Sequence, residues 1–155
     1  MSARSVVHGT IHLERDYEAA PGRVFAAWAD PEALMRWARP GEGWDVTLAH
    51  FDFRVGGSSV TRFGPGDGQT YTDESRYLDI VPDTRIVSAA TLTVGDRIGF
   101  AGLLTIEFEP SARGCRMKFT EQGAYLDGLD MPEGHEAGWG EMLDRLDADL
   151  RAHAR

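Results

Sequence analysis

The sequence contains a single cysteine, Cys115, among its 155 residues. No intramolecular disulfide can form, which fits a reducing compartment and points to the cytoplasm. Basic residues are also scarce. Sixteen Lys and Arg stand against 25 Asp and Glu, and the formal net charge is -9. Neutralising phosphates requires basic clusters, so nucleic acid is excluded as a partner. The same deficit disfavours anionic membrane surfaces. No stretch approaches the roughly 18–20 apolar residues of a membrane span. Residues Met1 to Ser5 lack the apolar run of a signal peptide. There is no internal repeat, linker or low-complexity run. These absences leave one soluble domain over residues 1–155. A chain of this size buries roughly 68–70% of its unfolded surface, so it needs neither disulfide nor metal to hold a core.

Signatures of catalysis are missing as well. His135-Glu136 opens like a zinc-protease motif, but Trp139 stands where the second histidine belongs. Gly56-Gly57-Ser58-Ser59-Val60 opens like a nucleophile elbow, but Val60 replaces its final glycine. Gly41-Glu42-Gly43 stops short of a dinucleotide loop. His8 and His12 share a strand face, yet four residues of strand separate them by roughly 13 Å, too far for one zinc ion. No metal site and no cofactor is expected.

What is present is periodicity. Val7, Ile11, Leu13 and Tyr17 alternate with polar residues over 6–18, which predicts a half-buried strand. Pro21 and the pair Asp30-Pro31 suit two short helices, since proline fits the first helical position and aspartate the cap before it. From Trp44 to Gln122 the pattern is mostly period two. Trp44, Val46 and Leu48 run in one phase and Phe51, Phe53 and Val55 in the other, which predicts a bulge near His50. Gly64 to Gly68 reads as a turn. Strands follow at about 71–81 and 85–94. Two clear strands then carry Phe100, Leu104, Ile106 and Phe108, and Cys115, Met117 and Phe119. Short connections make the sheet antiparallel.

Near the C-terminus, Trp139, Met142, Leu143, Leu146 and Leu150 mark one face of a helix over 138–150, the only long amphipathic helix in the chain. It must bury that stripe on the sheet. His135 and Glu136 are read as preceding it, where an acid suits the helix dipole. Glu121 continues the inward phase of Cys115, Met117 and Phe119. It is either a polar group at a cavity mouth or a carboxylate at a strand end facing solvent. Arg15 is in phase with Ile11 and Leu13, and edge snorkelling accounts for it.

The segment Glu18 to Trp28, with Asp30-Pro31-Glu32-Ala33-Leu34 and Trp37, resembles the opening of the SRPBCC (START-like) superfamily. Within it, the chain is similar to single-domain bacterial proteins homologous to the activator of the heat-shock protein 90 ATPase. Phe53 to Gly57, Tyr77 to Val87, Phe119 to Gly128 and the Gly-Trp start of the last helix carry that likeness. The resemblance implies an α+β helix-grip fold. In it a seven-stranded antiparallel sheet curves around the C-terminal helix, with two short helices after the first strand. The first and last strands would pair, with Glu121 facing the start of the first and Arg15 at its end.

It also implies a cavity between sheet and helix that takes a small apolar or aromatic molecule. Phe53, Phe63, Tyr77, Phe100, Leu104, Ile106, Met117, Phe119, Trp139, Met142 and Leu146 are the candidate wall, with Glu121 as polar anchor. The same stripe could equally be a plug that fills the gap. Two alternatives stand beside binding. One is an enzyme of the polyketide cyclase or dehydratase type, using Glu121, Tyr77 or Arg54 as acid or base. The other is a chaperone ATPase-activating module, although the eukaryotic activators carry a further N-terminal domain for which this chain has no room. A homodimer is left open.

Overall fold

Alternating residues carry the chain into β1 (Val6–Tyr17), and each proline signal then opens a helix, α1 (Pro21–Ala29) and α2 (Pro31–Trp37). The Asp30 carboxylate caps α2 by accepting from the Glu32 amide at 3.3 Å. Six strands follow: β2 (Asp45–Phe51), β3 (Ser58–Gly64), β4 (Tyr71–Val81), β5 (Arg85–Val94), β6 (Arg97–Pro110) and β7 (Cys115–Leu126). The chain ends in α3 (Pro132–Ala152). This computed structural model describes residues 4–66 and 68–154. Asp67 of the expected turn lies outside the described residues, as do Met1 to Ala3 and Arg155.

Among the described residues the seven strands form one antiparallel sheet in the order β1-β7-β6-β5-β4-β3-β2. Every consecutive pair from β2 to β7 is a hairpin neighbour. Only β1 is out of sequence order. The two short helices carry the chain from one sheet edge to the other, and β7 returns to pair with β1. This is the helix-grip architecture that the family resemblance implies.

Strand irregularities explain where sequence phase was ambiguous. A bulge lies between Leu48 and His50, as expected. A second lies between Tyr77 and Asp79. It lets Tyr77 be buried and Ile80 pack on the core while Leu78 is exposed. One strand expectation is corrected. Phe53 and Val55 do not continue β2, which stops at Phe51. The chain turns at 52–57, where the Gly57 amide donates to the Arg54 carbonyl at 2.8 Å. A side chain at Gly57 would meet the Asp52 carbonyl at 2.2 Å, so the glycine pair closes this turn.

The helix boundary is also corrected. Pro132 occupies the first turn of α3, so His135 lies inside the helix and not before it. Side chains from every other layer hold α3 in place. The buried Tyr17 hydroxyl donates to the Leu143 carbonyl at 3.0 Å. Arg23 caps the C-terminal end through the Leu150 and His153 carbonyls at 3.2 and 3.1 Å. Arg36 pairs with Asp149 at 2.7 Å, and Arg145 donates to the Trp37 and Arg39 carbonyls of the α2 exit. Arg15 does not merely snorkel. It reaches across to Asp144 at 3.3 Å. Glu121 pairs with Ile11 well inside β1, four residues from Arg15, so the two make no ion pair.

Candidate functional site

The inner face of the sheet is divided between a packed core and a cavity. Over β1, β6 and β7, side chains of α1, α2 and α3 close on the sheet. Val24, Trp37, Met117, Phe119, Leu143 and Leu146 are completely shielded from solvent there. Beyond them, toward β2 to β5, a cavity of about 550 Å³ remains between the sheet, α2 and the first half of α3. That volume lies in the range of small-molecule sites.

Two aromatic groups mark its ends. Trp44, Phe63 and Tyr71 cluster with ring centroids 5.3–6.0 Å apart. Phe53 and Tyr77 meet edge to face at 4.9 Å. Along β4 the inward side chains are Tyr71, Asp73, Ser75 and Tyr77, so a polar band lies between these ends. Register extends the band sideways, because Ser59 and Thr61 of β3 lie opposite Ser75 and Asp73. Ser88 of β5 lies opposite Tyr77. Trp139 stacks on Trp28 at 6.0 Å, and Phe100 and Leu104 complete the apolar wall.

The polar groups are not random. Glu121 is 3% exposed. One of its oxygens accepts from His135 Nδ1 at 2.7 Å and the other from Trp139 Nε1 at 3.2 Å. The remaining ring nitrogen of His135 meets Asp130 in a short contact. A partly buried imidazole thus lies between two carboxylates. Burial opposes its charge, but the hydrogen bonds to Asp130 and Glu121 and their negative charge outweigh that, and His135 is pushed up to about 9. At neutral pH it is imidazolium.

Asp73 is different. It is half-buried and lines the cavity. Burial raises its carboxyl and the charge of Glu121 adds to this, while the Ser75 hydrogen bond and His135 pull it down, leaving it at about 6. The hydroxyl of Tyr77 is also raised, first by burial and then by Asp73, against a hydrogen bond with Ser59.

Phe100 owes its place to absent side chains. A Cβ on Gly102 or Gly123 would come within 2.6 Å of its ring. The ring lies over this paired glycine floor and packs against His135 with centroids 4.6 Å apart.

The family model described as activator of Hsp90 ATPase homolog 1-like protein matches residues 18–151. The chain belongs to that family. Among solved structures, a protein of Rhizobium loti is 42% identical, with 94% of this chain and 99% of that one covered and a TM-score of 0.84. A protein of Rhizobium leguminosarum is 35% identical over 98% of this chain and 100% of that one, with a TM-score of 0.88. The AHSA1 protein of Silicibacter pomeroyi is 25% identical over 93% and 99%, with a TM-score of 0.73. No curated protein matches the chain.

Against this family frame, the structure sorts the residues singled out from sequence. Phe53, Phe63, Tyr77, Phe100, Leu104, Ile106, Glu121, Trp139 and Met142 line the cavity. Met117, Phe119 and Leu146 do not. They are sealed in the core, because α3 packs directly over that end of the sheet. Arg54, held by Asp52 at 2.8 Å on the surface, is outside the cavity. Asp73, Asp130 and His135 escaped sequence reasoning. His135 had a signal. It lies four residues before Trp139 and extends the same helical stripe, but Gly134, Gly138 and Gly140 disguised the helix start. Asp73 had none, since its strand carries polar residues in both phases. Among the described residues no cluster could hold a metal ion, and no helix is long and apolar enough to cross a membrane.

Proposed function

We infer that this protein binds a small apolar or aromatic molecule in the cavity between β2–β5 and α3. One observation carries the reading. The helix does not plug the gap: about 550 Å³ stays open beside a fully packed core. Leaving such a space costs cohesion, and its lining of aromatic rings with a few placed polar groups has the composition of ligand sites. Phe53, Phe63, Phe100, Leu104, Ile106 and Met142 supply apolar wall. Trp139 and Glu121 fix the helix side, and each Glu121 oxygen retains acceptor capacity beyond the bond it already makes. A cytoplasmic setting goes with this reading, supported by the lone buried thiol of Cys115.

Acid–base catalysis in the same cavity is the second reading, favoured by Asp73 alone. His135 cannot serve as a base near neutrality, because both of its nitrogens are engaged and it is already protonated. Titration with flavonoids, polyketides, fatty acids and aromatic amines tests the binding reading. Saturable change in tryptophan fluorescence is expected, reduced in Trp139→Phe. Absence of binding across the whole panel overturns it.

A further inference from the structure

The charge on the cavity wall is unequal in kind. Two cationic side chains line it, His135 and Arg145, and both are engaged. His135 is divided between Glu121 and Asp130. Arg145 is turned to the Trp37 and Arg39 carbonyls. The carboxylates outnumber them. Glu121, Asp130 and Asp73 face the interior, and Glu141 lies at the rim.

Among the described residues, Asp73 is the one inward carboxylate without an ion pair. Its only hydrogen bond among the described residues is from the Ser75 hydroxyl, at 3.3 Å. It therefore keeps most of its acceptor capacity, and it lies near the start of β4, two residues after Tyr71 and four before Tyr77. An incoming carboxylate would find no free cation there and would meet the negative charge of Asp73 and Glu121. An incoming ammonium group would find the reverse, with the rings of Tyr71 and Tyr77 lining the same cavity.

We propose that the occupant of this cavity is an aromatic or apolar molecule carrying a protonated amine, with its ammonium group on Asp73. The proposal rests on the cavity being a binding site and narrows what it takes.

The other charged groups set how pH acts on it. Glu121 faces Asp73 from β7, and His135 and Arg145 come from α3. Glu74 neighbours it on its own strand, while the polar side chains that β3 and β5 place on the cavity, Ser59, Thr61, Ser88 and Thr91, carry no charge. His135 stays protonated across the acidic and neutral range, so it adds no step there. Protonating Asp73 removes the acceptor charge that holds an ammonium group. Amine affinity therefore falls as pH drops through about 6.

Three matched probes test this by calorimetry: para-phenylbenzylamine, para-phenylbenzyl alcohol and para-phenylbenzoate. Near pH 7.5 the amine should bind at least about tenfold tighter than the alcohol, the equivalent of one charge-assisted hydrogen bond, and the carboxylate weakest. The amine-to-alcohol ratio should shrink toward one in Asp73→Asn. It should also shrink in the wild type as pH falls to about 5, a comparison that needs no variant and cancels pH effects common to both probes. A carboxylate that binds as tightly as the amine overturns the proposal, as does a ratio indifferent to Asp73→Asn and to pH. Equal binding of all three probes sinks the amine preference and leaves the binding reading standing. Failure of all three to bind also overturns the proposal, and the wider ligand panel then decides the binding reading.

Discussion

Stability should depend on pH through His135, and the structure sets the size of the effect. The imidazole is pushed from an ordinary 6.5 up to about 9 by its two carboxylate partners. A folded-state pKa above the unfolded one means that the folded state holds the proton more tightly. The resulting stabilisation is fully present below about pH 6.5, declines as pH rises, and is gone above about pH 9. Each tenfold gain in proton affinity on folding is worth about 1.4 kcal/mol, so roughly 2–3 kcal/mol should be lost between about pH 6.5 and 8.5. That is a sizeable part of the ~5–15 kcal/mol typical of a domain.

Neighbouring titrations fall outside this window. Asp73 is raised from 3.8 to about 6, so its contribution is lost as pH rises through that lower interval. Burial pushes the Cys115 thiol from 9.0 up to about 11, so its contribution is lost above the window. Urea unfolding of the wild type and of His135→Gln across this range is the assay. The wild type should show the slope and the variant should not. The variant should be weaker by about 3 kcal/mol at the acid end, where the buried Glu121 and the partly buried Asp130 lose their cation, and nearly equal at the alkaline end. Parallel profiles for the two proteins would refute the reasoning.

Three further outcomes follow from particular contacts. Tyr17→Phe removes the buried hydroxyl that donates to Leu143 at 3.0 Å, and should cost about 1 kcal/mol in denaturant unfolding with the fold unchanged. Gly102→Ala drives a methyl group to 2.4 Å from the Gln122 carbonyl and 2.6 Å from the Phe100 ring, and should destabilise by about 1–3 kcal/mol in a thermal melt. Ala90→Trp projects from β5 into the open space and should abolish binding of any cavity ligand while thermal stability holds. Retained binding would place the ligand elsewhere.

The strands and their order were largely legible, because alternation is a local property and short connections force antiparallel neighbours. So was the inward direction of Glu121, which followed from the phase of Cys115, Met117 and Phe119. Less legible was the turn at 52–57, where Phe53 keeps a strand-like phase although β2 has ended. The start of α3 was hidden in the same way. Three glycines in its first turns weaken helix propensity, and only Pro132 announced the true boundary. That error concealed His135 and the pairing that occupies Glu121.

The sequence alone determined the α+β class, the single sheet and the face that α3 buries, since each is written in a repeat of two or of about 3.6 residues. Tertiary structure decided what stands over each inward side chain. Phe119 and Glu121 share one strand and one phase, yet Phe119 is sealed in the core and Glu121 lines a cavity. Phase says which way a side chain points. It carries no information on whether another element closes over it, because that depends on contacts between residues far apart in the chain.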